Sequence, residues 1–534
     1  PAQPYNGEMN KELMYSLMLA ELAVKRERYD VAVTHYLAAA RYTREGDIAE
    51  RATRVAFFAR ADKAALEAAQ IWERAEPENP EIAQVLALLY LRDGQIDTSL
   101  AYWKRILNTP NHAPERIFHQ MARVLGGETD KSAVLTLMHA LMADYDGLPE
   151  AHLAYAKLAI EANRYALAQS ELDKALKLKP GWWQVHVLRA RAYTQQGDWS
   201  SAEKSLGDAV RARPDDSELR LRYARLLFER GKYKEARSQF KVLLKLRPKD
   251  ADVRFALGIL QVQLGELERA EAQFKYLISK GQRVDDASFY LGNLAERRGE
   301  LEQARHWYGQ VRRGENVYSA VRRLVFIISR QDGLDQALAY LSRLSSESAS
   351  DAVRLLMLKG ELLTEAGQYQ RSFEHYSRAL QEYPQTVDLL YSRAMVAERL
   401  GKLDVLESDL REIIRNDPDN ADALNALGYT LADRTDRYKE ALRLIKRALE
   451  LKPNNGPIMD SMGWVLYKLG RNEDALKYLS RAYQILRDGE VAAHLGEVYW
   501  ESGEKQKAEA VWNEALKNEP DNEVLKRTME KYLP

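Results

Sequence analysis

Residues 217–250, SELRLRYARLLFERGKYKEARSQFKVLLKLRPKD, decide how the rest of the chain is read. Apolar side chains fall three and four apart through Leu219, Tyr223, Leu226 and Leu227. They resume after a break through Ala236, Phe240, Leu243 and Leu244. That spacing predicts two amphipathic helices. Gly231 stands where the first must stop, because glycine takes the left-handed conformation that ends a helix at little cost. Pro248 follows the second helix and cannot continue it. A single hairpin of this size cannot bury both apolar faces, so the pattern predicts neighbours of the same kind.

The rest of the chain supplies them. The glycine stop recurs at Gly94, Gly197, Gly265, Gly299, Gly367, Gly401, Gly470 and Gly503. A small residue where the helices cross recurs at Ala202, Ala270, Ala304, Ala475 and Ala508 beside Ala236. Prolines close units at Pro180, Pro214, Pro384, Pro418, Pro453 and Pro520. Fifteen units are predicted, beginning near residues 13, 46, 80, 114, 149, 183, 217, 251, 285, 318, 353, 387, 421, 456 and 489. So regular a period signals a repeat architecture. In 495–520, LGEVYWESGEKQKAEAVWNEALKNEP, the residues Leu495, Gly496, Tyr499, Ala508, Trp512, Ala515 and Pro520 resemble the signature of the tetratricopeptide repeat family. The resemblance implies an all-α solenoid, a right-handed superhelix of about fifteen helix hairpins. The reading is then a flexible lead-in at 1–12 with Asn10 as first cap, and four divergent hairpins at 13–148. Six repeats follow at 149–350, five at 351–522, and a C-terminal capping helix at 523–534. Among the divergent hairpins Ala32 and Ala65 keep the small crossing position, but the glycine stops of the first two are missing. The serine-rich stretch 344–350 is the expected bend between the two sets of repeats.

Composition bounds function. Lysines and arginines number 79 and acids 79, so no global field points to nucleic acid or to a membrane surface. The longest apolar runs, such as VLALLYL at 85–91, are too short to span a bilayer. The absence of cysteine excludes disulfides, thiolate metal sites and a cysteine nucleophile, and fits an oxidising compartment. The chain begins at Pro1 without an initiator Met, which fits either a processed leader or a shortened chain.

The opening run, LAELAVKRERYDVAVTHYLAAARYTREGDIAERATRVAFFARADKAALEAAQIWE, carries a narrower resemblance, to large bacterial tetratricopeptide lipoproteins of the LbcA type in the outer membrane. Such proteins are implied to bind a periplasmic carboxy-terminal processing serine protease and to present peptidoglycan hydrolases to it. The lipid-bearing cysteine would precede Pro1, so membrane attachment would run only through an anchor outside this chain.

Motifs for chemistry are missing. The sequence has no phosphate-binding Walker loop, no Gly-x-Ser-x-Gly elbow and no His-Glu-x-x-His. The nine histidines are scattered and expected at surface or second-helix positions; His112 and His119 form the nearest pair. His494 and Glu497 share a helix face but lack further ligands. No catalytic residue, metal or cofactor is therefore expected. A basic patch without interleaved aromatics in a neutral chain also argues against nucleic acid.

Binding residues stand out better. In the implied architecture the first helix of each unit lines a groove through its second, fifth, ninth and twelfth positions. Ten units carry an acid at the second position, which first-turn helix-dipole compensation explains better than a ligand stripe. The fifth position is apolar at Leu221, Phe255, Phe289, Met357 and Tyr391, and the ninth and twelfth give Tyr429, Trp464, Tyr467 and Trp500. These are expected to form a groove for substrate or partner protein. Eight arginines against three glutamates over 297–330, including Arg312, Arg313, Arg322 and Arg323, form a basic patch. At the N-terminus Leu13, Met14, Leu17, Met18 and Leu22 point around most of one helix, which marks it as the expected docking site for the protease. The function implied is a non-catalytic periplasmic adaptor. A general envelope assembly scaffold, for instance in polysaccharide export, or the regulatory repeat region of a larger enzyme remain alternatives.

Overall fold

Gly231 turns its backbone to φ +70°, the left-handed value that stops a helix, between helices Ser217–Glu229 and Tyr233–Leu246. The eight other glycines at the same place in their units share this geometry, with φ between +71° and +85°. The computed structural model describes residues 11–109, 113–345 and 348–533. Among them are thirty-one α-helices, one short 3-10 turn and no strand. Thirty helices pair into fifteen hairpins, and Glu523–Tyr532 follows as the last. Eleven hairpins begin at the residue that the repeat predicts. The other four begin one to four residues earlier; helix Ala349–Glu365 starts early because the Ser348 hydroxyl accepts the Asp351 N–H at 3.1 Å. The expected cap Asn10, most of the lead-in, and residues 346–347 of the serine-rich stretch lie outside the described residues.

Where the glycine is missing, the turn survives. Glu27, Arg60 and Asn163 take φ of +58°, +56° and +57° at the equivalent positions. Each carries the left-handed strain of about 1–2 kcal/mol that a glycine would avoid. The crossing position is stricter: Ala32, Ala65, Ala202, Ala236, Ala270, Ala304, Ala475 and Ala508 are all fully buried. Close approach also falls on Gly292, where an added Cβ would sit 2.6 Å from the Tyr308 ring. Helix starts are capped: Asp216 accepts the Glu218 and Leu219 N–H groups, both at 3.1 Å, a bond type worth about 1 kcal/mol.

The chain forms two compact units, one ending at Gln273 and one beginning at Phe274. In the first, the opening hairpins build an alanine-rich core around Tyr36, Trp72, Leu86 and Leu89. There Arg51 bridges Tyr36 (3.2 Å) and Glu21 (3.3 Å), joining three helices. Arg92 grips Glu128 through two hydrogen bonds of 2.8 and 2.9 Å and reaches Asp62 at 2.9 Å. In the second unit a continuous core runs from Tyr376 through Leu427, Met462 and Trp512 to Leu525 of the last helix. Consecutive hairpins stack chiefly through the second helix of one against the first helix of the next, so each unit is an α-solenoid built from one repeated contact.

Candidate protein-binding surfaces

Three of the ten acids at second positions are tied down within their own hairpins. Glu150 receives Lys179 at 3.0 Å, Glu218 receives Arg247 at 2.6 Å and Asp422 receives Lys452 at 2.9 Å. In each case a cation from the end of a hairpin's second helix closes on the start of its first. These acids belong to the repeat's own clasp.

The fifth-position residues Leu221, Phe255, Phe289, Met357 and Tyr391 are all half-buried. Leu221 and Phe255 come together, with Arg225 and Ile259, on the wall of a cavity of about 430 Å³ in the first unit. Phe289 leans instead on Tyr290 and Tyr308, with ring centroids 5.6 and 6.0 Å away. Met357 and Tyr391 pack on the core of the second unit.

Nearer the C-terminus the expected groove residues split. Trp464 is 5% exposed, which corrects its placement on an open wall. Its indole stacks on His494, centroids 4.1 Å apart, and its Nε1–H donates to Asp433 at 3.2 Å. Tyr429 is half-buried; its hydroxyl donates to Glu490 at 3.3 Å, and burial, reinforced by the nearby carboxylates, raises its phenol above the usual range. Tyr467 donates to Glu497 at 3.5 Å, and Trp500 stacks on Trp512 at 5.9 Å, beside Tyr532 of the last helix. These rings fasten the final hairpins to each other and to the cap.

Two histidines also depart from expectation. His152 and His494 are buried on first helices, held by Glu171 at 2.6 Å and Asp460 at 3.1 Å respectively. Glu497 turns to Lys531 and Tyr532 (3.0 and 3.1 Å). Among the described residues no cluster of three or more His, Asp and Glu could hold a metal. His112 of the expected pair lies outside them.

Part of the basic patch is neutralised. Arg322 pairs with Glu361, Arg323 with Glu296 at 2.8 Å and Arg305 with Asp332 at 2.7 Å. Arg312 and Arg313 are exposed, and their backbone N–H groups donate to Asp285 at 2.6 and 3.0 Å.

The first helix, Lys11–Lys25, divides cleanly. Leu13 is buried and Leu17 is half-buried against the opening core, so neither belongs to a free surface. Met14, Tyr15, Met18 and Leu22 are 49–63% exposed and form one stripe along the opposite side. Among the described residues no helix is long and apolar enough to cross a membrane.

Family models described as tetratricopeptide repeat match residues 193–254, 227–283, 329–387, 388–456 and 461–523, more than half of the chain. The chain is also 39% identical over 496 residues to the TPR repeat-containing protein PA4667 of Pseudomonas aeruginosa, covering 92% of this chain and 83% of that one. The chain belongs to the tetratricopeptide repeat family. A weaker likeness, 22% identity over 229 residues, connects 40% of this tetratricopeptide chain with 45% of a DnaJ homolog subfamily C member 3 homolog from Dictyostelium discoideum. Among solved structures, a thermophilic TPR protein of Thermus thermophilus, TTC0263, is 24% identical; the match covers 34% of this chain and 98% of that one, with a TM-score of 0.31.

A further surface feature of this tetratricopeptide chain escapes the sequence reading. A cavity of about 740 Å³ opens in the first unit, lined by Leu153, Trp182, Val187 and Leu188 among others. Leu153 and Val187 hold the same fifth position as Leu221 and Phe255, so the positional rule could have found them. Trp182 precedes helix Trp183–Gln195 and lies outside any groove position, which hid it. Tetratricopeptide repeats of this kind form protein-binding scaffolds, and these cavities are where this one offers apolar surface.

Proposed function

We propose that this tetratricopeptide scaffold is a non-catalytic adaptor that binds and activates a periplasmic carboxy-terminal processing protease and presents cell-wall hydrolases to it. The observation that carries the reading is the apolar stripe Met14, Tyr15, Met18 and Leu22 on the terminal helix, which no neighbouring hairpin covers among the described residues. A terminal repeat unit is normally polar on its outer face. The helix Glu523–Tyr532 at the other end follows that rule, keeping only Leu525 fully buried. Exposed methionines suit an adaptable contact with a partner. The resemblance of the opening segment to outer-membrane lipoproteins supports both the protease as that partner and a lipid anchor in the outer membrane. The protease supplies the chemistry; the adaptor supplies position.

Deleting residues 11–28 tests this reading. The remaining hairpins should stay helical, because solenoid stability is local. The shortened protein should no longer co-elute with the processing protease. Undiminished co-elution would reject the proposal, and a shift from dimer to monomer would assign the stripe to self-pairing instead.

A further inference from the structure

In the second unit, one hairpin has an unusually short second helix, Leu334–Leu341, of eight residues. Its counterpart in the next hairpin, Tyr369–Glu382, has fourteen. The difference amounts to about 9 Å of helix. Where the short helix stops, at Ser342, a cavity of about 320 Å³ lies against Tyr369–Glu382. Two of its walls are second helices, joined by Lys359 and Leu363 of Ala349–Glu365. It therefore stands apart from the fifth- and ninth-position wall of the first helices.

The lining is rich in charge. Lys359 is half-buried and Arg378 is exposed, and neither has an ion-pair partner among the described residues. Arg371 meets Asp335 at 3.5 Å, but both are open to solvent, where such a pair holds weakly. The Glu374 carboxylate accepts the Gln370 Nε2–H at 2.7 Å and keeps further acceptor capacity. His375 is the buried member, only 6% exposed. Its Nε2–H donates to the Leu356 carbonyl at 2.8 Å, since a carbonyl can only accept. Burial, with Lys359 and Arg378 nearby, holds the imidazole pKa below its ordinary value, so the ring is uncharged at neutral pH. Nδ1 is then a bare acceptor that no donor meets among the described residues.

This mixture constrains the ligand. Three cations call for an anion, while Nδ1 and the two carboxylates repel any oxygen that lacks a proton. Hydrogen phosphate meets both demands, because its oxygens accept from the cations and its one O–H donates. Sulfate has no proton to give at neutral pH. We propose that the cavity binds a hydrogen phosphate group, with Lys359, Arg371 and Arg378 around its oxygens and His375 Nδ1 accepting its O–H. The group is free phosphate or the phosphate of a monoester. A site built to receive an O–H discriminates strongly against an analogue without one. No residue of the terminal helix takes part, so the site stands independently of the adaptor reading.

Calorimetric titration of the full chain with inorganic phosphate, sulfate and glycerol phosphate at neutral pH tests the site. Phosphate should bind, and sulfate should bind about tenfold more weakly or not at all. Glycerol phosphate binding as tightly as phosphate marks a monoester as the ligand; weaker binding marks the free ion. Lys359→Gln/Arg378→Gln should lose about tenfold in phosphate affinity while keeping its helical circular dichroism. Arg312→Gln/Arg313→Gln, which removes exposed arginines outside the cavity, should bind as the wild type does. His375→Phe should lower the preference for phosphate over sulfate. If that variant misfolds, the wild-type His375 Nδ1 should still shift in nitrogen NMR with phosphate and not with sulfate. Equal binding of phosphate and sulfate, no binding of phosphate, or full binding by the folded Lys359→Gln/Arg378→Gln variant would each overturn the proposal.

Discussion

His494 lies face to face with Trp464, ring centroids 4.1 Å apart and planes 23° from parallel, while its Nδ1 stands 3.1 Å from the Asp460 carboxylate. The three side chains join consecutive hairpins in the second unit. Burial disfavours charge on this imidazole, but the Asp460 carboxylate, its hydrogen bond and the nearby Glu490 and Asp433 outweigh it, raising the pKa above the ordinary 6.5. A raised folded-state pKa contributes stability that is complete below the unfolded value and is lost as pH rises through the folded one. The advantage of the wild type over His494→Gln in thermal melts should therefore be largest below about pH 6.5 and shrink as the pH rises. An advantage that grows with pH would contradict the pairing.

Arg92 and Glu128 make the corresponding joint in the divergent N-terminal hairpins, with side chains only 10% and 8% exposed. Removing Glu128 leaves two buried Arg92 N–H donors without an acceptor while Asp62 still holds the third, so Glu128→Ala should cost about 1–3 kcal/mol. Chemical denaturation should show this as an early loss of helix signal from part of the chain. A variant as stable as the wild type would mean that water already reaches Arg92.

Arg60 is exposed and holds φ +56° where nine other units place glycine. Arg60→Gly relieves left-handed strain of about 1–2 kcal/mol and adds about 0.5–1 kcal/mol of unfolded-state entropy. The net expectation is a gain of roughly 0.5–1 kcal/mol in denaturant melts. Destabilisation would show that the arginine side chain itself contributes to the turn.

Ala236 is fully buried where its two helices cross, so Ala236→Leu should overpack the joint at a cost of about 1–3 kcal/mol. A thermal melt without destabilisation would undo the repeat register.

The contrast between these sites marks how far the sequence could be read. Gly231 and Ala236 recur because one backbone conformation and one helix crossing recur, and both leave a residue type behind in every unit that uses them. Arg60 performs the same turn without the diagnostic residue, so periodicity alone could place it. Burial of Trp464 was illegible for another reason. A tryptophan at the ninth position reads as groove until the next hairpin brings His494 over its face, and that pairing leaves no local pattern. Leu13 and Met14 show the limit within one helix: both are apolar, and only the packing of the second helix separates the buried one from the exposed one. The cavity at Leu153 and Val187 follows the fifth-position rule that also gives Leu221, whereas its Trp182 lies outside the rule, so periodicity reaches only part of the lining.

The exposed stripe of the first helix carries the proposed adaptor role, and calorimetric titration of the processing protease with a surface variant tests it. Met14→Lys/Met18→Lys/Leu22→Lys changes only side chains that are at least 49% exposed, so the fold should persist with unchanged helicity. The wild-type chain should bind the protease and raise its kcat/KM on a hydrolase substrate, and the folded variant should lose both effects. Binding and activation by the folded variant equal to those of the wild type would contradict it.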